Sequence, residues 1–585
     1  MTISVVIPTH NRKELIARTL PSILEQAFCP DELEVVVVVD GSTDGTASVL
    51  RDIKSPCRLH VLEQPNRGAA AARNAGVNVA RGELVLFLDD DIHCDRNLIA
   101  AHVTAHQDLE PALVHGRIIV SPEGRPTLAT DKSATDTERF YRSLSESGIK
   151  LPQYAHVLCN SSLPRALFIA CGGFDERMPF QRDDCEFGLR LWKMGVHFRY
   201  CPTAQVSEIS SKSSAMFGLK DAWQCGRGEV LLCEKHPDFR PHSALANLSS
   251  GTFSMKVARE LCIGLPVLPD SILALLIWAA ERLQKFPAIR LAGVRLLGIR
   301  RRLSFLRGAI SEAGSWKSLK RTFGMRLPVL LFHNIDRLDS TTTYPGMTIP
   351  PEQFAKQANY LARSGYTGIR PSDWVSWCRL GTPLPAKPVL LTFDDAYAGV
   401  AKYALPVLRR LGFGAAVFVV TRQINGTNAW EKEDGGAGTD RLMTKSEILE
   451  WAGQGIEFGA HSLNHRDLTK LKPEDLAEEV AGSAQELAQV LGTNVTSFVY
   501  PYGYYNSLVR SAVSDICDLA CTCEEGLNDL GTDLYLVRRT MVHPSDSFVD
   551  LACRVRFGRS PVNRLRSLLR LRSRWRAVKG AFSST

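Results

Sequence analysis

Short runs of apolar, often β-branched residues alternate with amphipathic stretches over roughly the first 250 residues. Ser4 to Ile7, Glu34 to Val39 and Leu84 to Leu88 are such runs, and helical patterns separate them. Strands that are apolar on both faces and alternate with helices predict a parallel α/β sheet. From about 256 to 325 the pattern is helical and rich in cations. A second alternation begins at Val329 to Phe332 and continues with strands at Val389 to Thr392, Ala415 to Val420 and Ser497 to Tyr500. The expected organisation is two α/β domains, 1–255 and 327–555, with a basic helical linker, 256–326, between them and a basic amphipathic tail, 556–585, after them.

Leu261 to Ala280 comes nearest to a membrane span at twenty residues, but Gly264, Pro266, Pro269 and Asp270 leave a continuous apolar run of only about ten. A span takes about twenty mostly apolar residues, so interfacial or protein-buried helices are expected there. Hydrophobic residues at 45% and charged residues at 23% of 585 positions exclude general disorder, a collagen-like repeat and a multi-span membrane protein. The 15 cysteines are scattered without a C-x-x-C pair, which points to reduced intracellular thiols. The N-terminus lacks the basic-then-apolar pattern of a signal peptide, so a cytoplasmic location is expected.

Net charge is +8 but unevenly placed. Arg554 to Thr585 carries nine Arg, one Lys and no acid, and 282–326 carries twelve basic residues against Glu312, leaving the remainder at −13. Neither segment has the glycine and aromatic pattern of a base-stacking module, so no nucleic-acid partner is expected. Leu291 to Leu303 and Leu565 to Arg576 have the spacing of basic amphipathic helices, which suits peripheral contact with an anionic membrane surface at its inner face. A solvated connector and tail is the plainer alternative.

Ligands of a parallel sheet sit at the carboxyl ends of its strands. Pro8 to Arg12 ends the first strand, Asp40 to Thr46 the second, and Asp89 to Asp91 the strand from Leu84. Two carboxylates at i and i+2 past a strand end can hold a hard divalent cation whose other ligands are phosphate oxygens, and such a cation offsets charge on a departing diphosphate. Further on, Gly172 to Glu176 precedes Asp183 to Arg190, where an acidic pair opens a helix. A carboxylate there caps the helix or acts as general base on an acceptor hydroxyl.

The runs VVIPTHNR, VVVDGSTDGT, NRGAAAARNAG, LVLFLDDD and GGFDE…DDCEFGLR, in that order and spacing, resemble a family 2 glycosyltransferase of the nucleotide-sugar-binding, Rossmann-like fold over residues 1 to about 240. The resemblance implies that Pro8, Asp40 and Arg73 lie by the base and ribose-diphosphate of a nucleotide-sugar donor. It implies that Asp89 and Asp91 form the metal–diphosphate motif with Mg or Mn, and that Asp184 is the base of an inverting transfer. Asp183, on the donor side, stands where the family more often has Glu. Val39 occupies a position that is often a second Asp. The His common after the acidic block is missing from Ala204 to Ser210, where Glu208 is the nearest candidate ligand. No Q-x-x-R-W motif follows, Gln224 to Arg227 being a partial echo, so a processive polymer-extruding synthase is not expected.

In the second alternation Thr392 to Asp395 ends a strand, and His461 and His465 stand at i and i+4. In a helical segment that spacing sets both imidazoles on one face. One Asp and two His make a three-ligand centre with a position open to water, the arrangement of a hydrolytic metal site. The motifs TFDD, HSLNH and FVYPYG resemble a polysaccharide deacetylase of carbohydrate esterase family 4, over about 328 to 555, whose fold is a distorted (β/α) barrel. The resemblance implies that Asp395, His461 and His465 hold a divalent transition metal, Zn or similar, and that Asp394 is the base that activates water. The backbone N–H of Tyr502 would help hold the tetrahedral oxyanion. The Leu-x-His motif of many members is not found; members with the Tyr-Pro-Tyr-Gly form often carry a His on the first strand instead, so the resemblance implies His333 as the acid that protonates the leaving amine, with His543 competing. Arg539 is expected to orient Asp394, with Arg538 the alternative, and Val499 replaces the usual Arg of the third motif.

The expected function is a bifunctional carbohydrate enzyme: inverting glycosyl transfer from a nucleotide sugar to a glycan or lipid-linked acceptor, and metal-dependent N-deacetylation of an N-acetylhexosamine-containing glycan. The alternative is that one half alone is catalytic and the other binds glycan or acts as a scaffold.

Overall fold

The computed structural model describes all residues except 108–109, 123–125, 148–158, 179–181, 211–216, 339–345, 433–438 and 561–585, so the expected tail from 561 onward lies outside the described residues. The chain divides into two compact units, 1–236 with 251–319, and 237–250 with 320–585.

The first unit is built on an eight-stranded sheet: β1 (Ile3–Thr9), β2 (Leu33–Asp40), β3 (Arg58–Gln64), β4 (Leu84–Phe87), β5 (Ile92–Cys94), β6 (Ala112–Pro122), β7 (Ser161–Pro164) and β8 (His197–Ser210), in the order β3-β2-β1-β4-β7-β6-β8-β5. β3, β2, β1 and β4 run parallel, whereas β7 is antiparallel to both β4 and β6. β2 reads LEVVVVVD because both of its faces are covered. Val35, Val37 and Val39 pack with Ile3, Val5 and Ile7 on one side, and Val36 and Val38 with Val6 on the other. The small residues of helix Ala69–Val79 let it lie close to the sheet, and a Cβ at Gly76 would collide with Val6. That close approach brings Arg73 to the strand ends.

The basic stretch 256–326 is largely helical, as Phe253–Gly264, Val267–Arg282, Pro287–Glu312 and Trp316–Phe323, and the unit boundary falls within it after Leu319. Pro287–Glu312 packs against Phe217–Lys235, with Gly308 and Gly226 at the points where a side chain would meet the opposite backbone. Among the described residues no single helix is long and apolar enough to cross a membrane.

The second unit contains β9 (Val329–Phe332), a small parallel pair β10 (Asn334–Ile335) and β11 (Thr348–Ile349), then β12 (Thr367–Ile369), β13 (Pro388–Phe393), β14 (Ala416–Val419), β15 (Glu457–Ala460), β16 (Ser497–Val499), β17 (Leu519–Cys521) and β18 (Thr540–Met541). The main sheet has the order β17-β16-β15-β14-β13-β9-β18, with β12 also paired to β13, and its pairings are parallel. A bridge from Cys521 to Val537 links β17 to the approach of β18, so the sheet curls toward a (β/α) barrel. Fifteen cysteines are free thiols.

Candidate active sites

In the first unit the carboxyl ends of the strands converge, where an open α/β sheet binds its ligands. Arg73, buried, donates from Nη2 to Asp89 at 2.7 Å and places Nη1 3.5 Å from Asp183. It therefore joins the end of β4 to the start of helix Asp183–Lys193. Asp184 is half-buried and accepts from the Cys185 backbone N–H at 2.8 Å. Burial raises both carboxyls of the Asp183–Asp184 pair, against the pull of Arg73 and Arg182. Asp91 is pushed up to about 7 by burial and by the neighbouring Asp89, Glu208 and Asp90. Arg12 reaches Asp90 at 2.8 Å and Asp91 at 3.1 Å.

Asp40 is buried, and its carboxylate accepts from Arg67 N, Gly68 N and Gln64 Nε2, each at 2.8 Å. It braces the 64–68 loop, which lies beside the end of β1 where Pro8 is half-buried. The loops after β1 and β2 interlock through Asn11 N to Ser42 Oγ at 2.9 Å and Thr43 N to Asn11 Oδ1 at 2.8 Å. The acidic helix is held from below by Glu186, fully buried, which accepts from Arg190, Lys235 and His236. Arg190 also donates to Gly173 O at 2.6 Å, which ties that helix to the Gly172–Glu176 turn.

In the second unit, β9, β13, β15 and β16 deliver their following residues to one place. Asp394 is buried and receives a two-pronged bond from Arg539, Nη1 to Oδ1 at 2.7 Å and Nη2 to Oδ2 at 2.9 Å. Arg539 is itself held by Thr522 O at 2.8 Å. Burial alone would raise the Asp394 carboxyl, but Arg539, with His461, holds it below the ordinary carboxylate value. The Arg538 side chain runs past Gly526 instead, and its backbone N–H donates to Asn528 Oδ1 at 2.8 Å.

Asp395, at φ +68°, directs Oδ1 toward Nε2 of His461 at 3.5 Å and Nε2 of His465 at 3.6 Å. These three buried residues are the group among the described residues whose ligand atoms lie close enough together, within 4.8 Å, to share a metal ion. His461 Nδ1 is bonded to Val499 O at 2.8 Å, which leaves Nε2 for the centre. Two imidazole nitrogens and a carboxylate oxygen suit a zinc-like ion. His333 is half-buried, and burial pushes its imidazole down to about 4 despite the nearby Asp394. The nearby Arg539 guanidinium also disfavours the His333 cation. Tyr502 stands at φ +58° in the turn Pro501–Gly503, with its ring edge-on to His465 at 4.6 Å.

His461 and His465 share one centre without the helix that would set them on one face. The segment is a loop after β15, with Ser462 at φ +62° and His465 at φ +60°. Both rings still reach one centre because the loop is pinned from outside. Glu479, buried, accepts from Leu463 N at 3.0 Å, Asn464 N at 3.1 Å and Asn464 Nδ2 at 2.8 Å, while Ser462 Oγ accepts from His465 N at 2.9 Å.

Three residues went unassigned in the sequence. Arg12 stands inside a quoted motif, so its signal was present. Glu479 sits in an ordinary acidic helical stretch, and Trp430, whose ring stacks on His465 at 5.0 Å, sits in a short 3-10 turn, Ala429–Lys432, with no motif; neither has a local signature. Glu479→Gln is expected to weaken Zn²⁺ binding by about tenfold, since such supporting partners are worth 10–100-fold in metal affinity. Competition with a fluorescent chelator on the intact chain measures it, and unchanged affinity would mean that the loop holds itself.

With this geometry in place, the chain can be compared with known proteins. Residues 4–172 match the family model for glycosyl transferase family 2. Residues 381–516 match the family model for polysaccharide deacetylase. The chain thus joins a region similar to family 2 glycosyl transferases to a region similar to polysaccharide deacetylases. Among its relatives is YxkH of Bacillus subtilis (strain 168), provisionally named a polysaccharide deacetylase, 26% identical over 237 residues, 40% of this chain and 77% of that one. Another is validoxylamine A glucosyltransferase of Streptomyces hygroscopicus subsp. limoneus, 28% identical over 315 residues, 46% of this chain and 68% of that one. A third is YfnE of B. subtilis (strain 168), an uncharacterized glycosyltransferase, 38% identical over 245 residues, 34% of this chain and 62% of that one. These matches support a bifunctional carbohydrate enzyme.

Proposed function

We propose that the second unit removes an N-acetyl group from a glycan by metal-assisted hydrolysis, and that the first transfers a sugar from a nucleotide donor with inversion. The observation that carries the reading is the meeting of the Asp394–Arg539 pair with Asp395, His461 and His465 at one edge of the sheet. A divalent transition metal held by Asp395, His461 and His465 would polarise the acyl carbonyl and acidify water. Asp394, kept ionised by Arg539, takes the proton of the attacking water. The Tyr502 backbone N–H donates to the developing oxyanion. His333 returns a proton to the leaving amine. Because burial keeps that imidazole neutral at pH 7, the proton reaches it during the cycle, and Asp394, which favours its cation, is the group to pass it.

In the first unit Asp184 accepts the proton of the acceptor hydroxyl, and burial brings its carboxyl closer to the pH of that task. Pro8 and the loop braced by Asp40 flank the nucleoside, Arg73 faces the ribose-diphosphate, and Asp183 lies on the donor side. Mg²⁺ or Mn²⁺ would be held by Asp89 and Asp91 together with phosphate oxygens of the donor, an all-oxygen set suited to a hard cation. The acceptor is a glycan or lipid-linked sugar, the chain meets the inner membrane face peripherally through its basic segments, and a freshly added N-acetylhexosamine is the substrate of the second step.

Mass spectrometry of products from UDP-N-acetylglucosamine, divalent metal and a panel of chitooligosaccharide and lipid-linked acceptors tests both halves. Asp184→Asn is expected to slow sugar addition by about 10²–10⁴-fold and leave acetyl loss on a supplied glycan untouched. Full transfer in that variant would remove Asp184 from the base role. Equal deacetylation of glycans that the first unit cannot make would end the proposed coupling.

A further inference from the structure

Helix Val267–Arg282 has two unlike faces. Ile277 and Ala280 point inward, in a cluster with Leu128, Ala129 and Leu297. Asp270 also turns inward and is held by Arg300 Nη2 at 2.9 Å and Arg307 Nη1 at 3.2 Å. The outward face is apolar and bare: Val267 is 77% exposed, Leu268 64% and Leu275 63%, with Ile272, Leu276 and Trp278 beside them. The preceding helix, Phe253–Gly264, meets it at a bend of 105° and adds Met255 and Leu261, with Leu265 between the two. An exposed apolar ridge running over two helices marks a surface that something covers.

What borders the ridge indicates the cover. At one end the Arg282 guanidinium lies 4.2 Å over the Trp278 ring, and Lys285 lies 5.2 Å over the Phe286 ring. Exposed Arg295 and Arg302 follow on the next helix, within a segment, 282–326, of twelve basic residues against one acid. Apolar side chains bounded by aromatic rings and cations fit the boundary between acyl chains and anionic headgroups. A second copy docked on this ridge by a two-fold axis would bring the same cations face to face, whereas anionic lipid neutralises them.

We propose that Phe253–Gly264 and Val267–Arg282 form a monotopic anchor that lies in the headgroup–acyl boundary of an anionic bilayer, with Arg282 and Lys285 among the lipid phosphates. The inference rests on the peripheral contact proposed above and narrows it from basic segments to one apolar helix pair.

Vesicle co-sedimentation of the full chain tests it, with phosphatidylcholine alone and with about a third phosphatidylglycerol. The wild type is expected to sediment with the anionic vesicles. I272E/L275E, at exposed positions and with an unchanged thermal midpoint, is expected to bind at least about tenfold less. R282E/K285E is expected to lose the preference for anionic over neutral lipid. Equal sedimentation of I272E/L275E and wild type would overturn the anchor while leaving peripheral contact through other basic segments standing. No sedimentation of the wild type with either vesicle would overturn both. Lipid-free self-association that the I272E/L275E variant abolishes, without vesicle binding by the wild type, would make the ridge an interface between copies and likewise overturn the anchor.

Discussion

Asp394→Asn is expected to lower the turnover of deacetylation by about 10³-fold while leaving glycosyl transfer at its original rate, because a positioned general base is worth about 10²–10⁴-fold. The substitution keeps the shape of a buried side chain but removes both its capacity to accept a proton and the charge that faces Arg539. Asn can still receive one bond from Arg539 through its carbonyl oxygen, and the thermal midpoint of the variant, measured beside its activity, separates the loss of the base from the cost of the buried Arg539 cation. Asp395, His461 and His465 are untouched, and metal retention by the variant, measured by chelator competition, separates loss of the base from loss of the centre. Deacetylation within about tenfold of wild type would show that another group removes the water proton.

The second large effect lies in stability. Arg539→Leu leaves the Asp394 carboxylate buried without its two-pronged cation and also vacates the bond to Thr522 O. Breaking a buried ion pair from one side costs about 3–5 kcal/mol, far more than a surface pair. Urea unfolding of the second unit, followed through its buried tryptophans, is expected to report a loss of that size. The companion Asp394→Asn/Arg539→Leu is expected to recover much of it, since no uncompensated charge then remains inside. A cost below about 1 kcal/mol for Arg539→Leu alone would mean that solvent or another cation reaches Asp394.

Much of this molecule was legible along the chain. β2 and β13 announce themselves as unbroken apolar runs because a parallel strand covered on both faces has no polar side to show. The acids that follow such runs, Asp89 to Asp91 and Asp394 to Asp395, are placed by the strand that precedes them, so their position at the carboxyl edge needed no tertiary information. The histidine pair was legible as chemistry but not as geometry. An i, i+4 spacing invites a helix, whereas left-handed φ values at Ser462 and His465 fold the segment into a loop that a carboxylate on a later helix secures.

Other features had no local trace. Asp40 is conspicuous in the sequence, yet its carboxylate is fully taken up by donors 24 to 28 residues away in the 64–68 loop. Helix Val267–Arg282 reads as a mostly apolar run interrupted by Pro269 and Asp270. Its one-sided burial appears only once Pro287–Glu312 has taken Ile277, Ala280 and Asp270 and left Leu268, Ile272 and Leu275 outside.

The sequence by itself determined the two α/β alternations, the acids at their strand ends, the imidazoles and the cationic stretch between them, since each rests on hydrophobic period or on residue chemistry within a few positions. Tertiary structure alone decided how Arg539, the residue expected from the sequence, grips a carboxylate 145 residues upstream with both nitrogens, that Glu479 shapes the histidine loop, and which side of an apolar helix stays bare. The physical reason is common to all three: charge pairing and burial act through distance in space, and chain separation carries no record of that distance until the sheet has closed it.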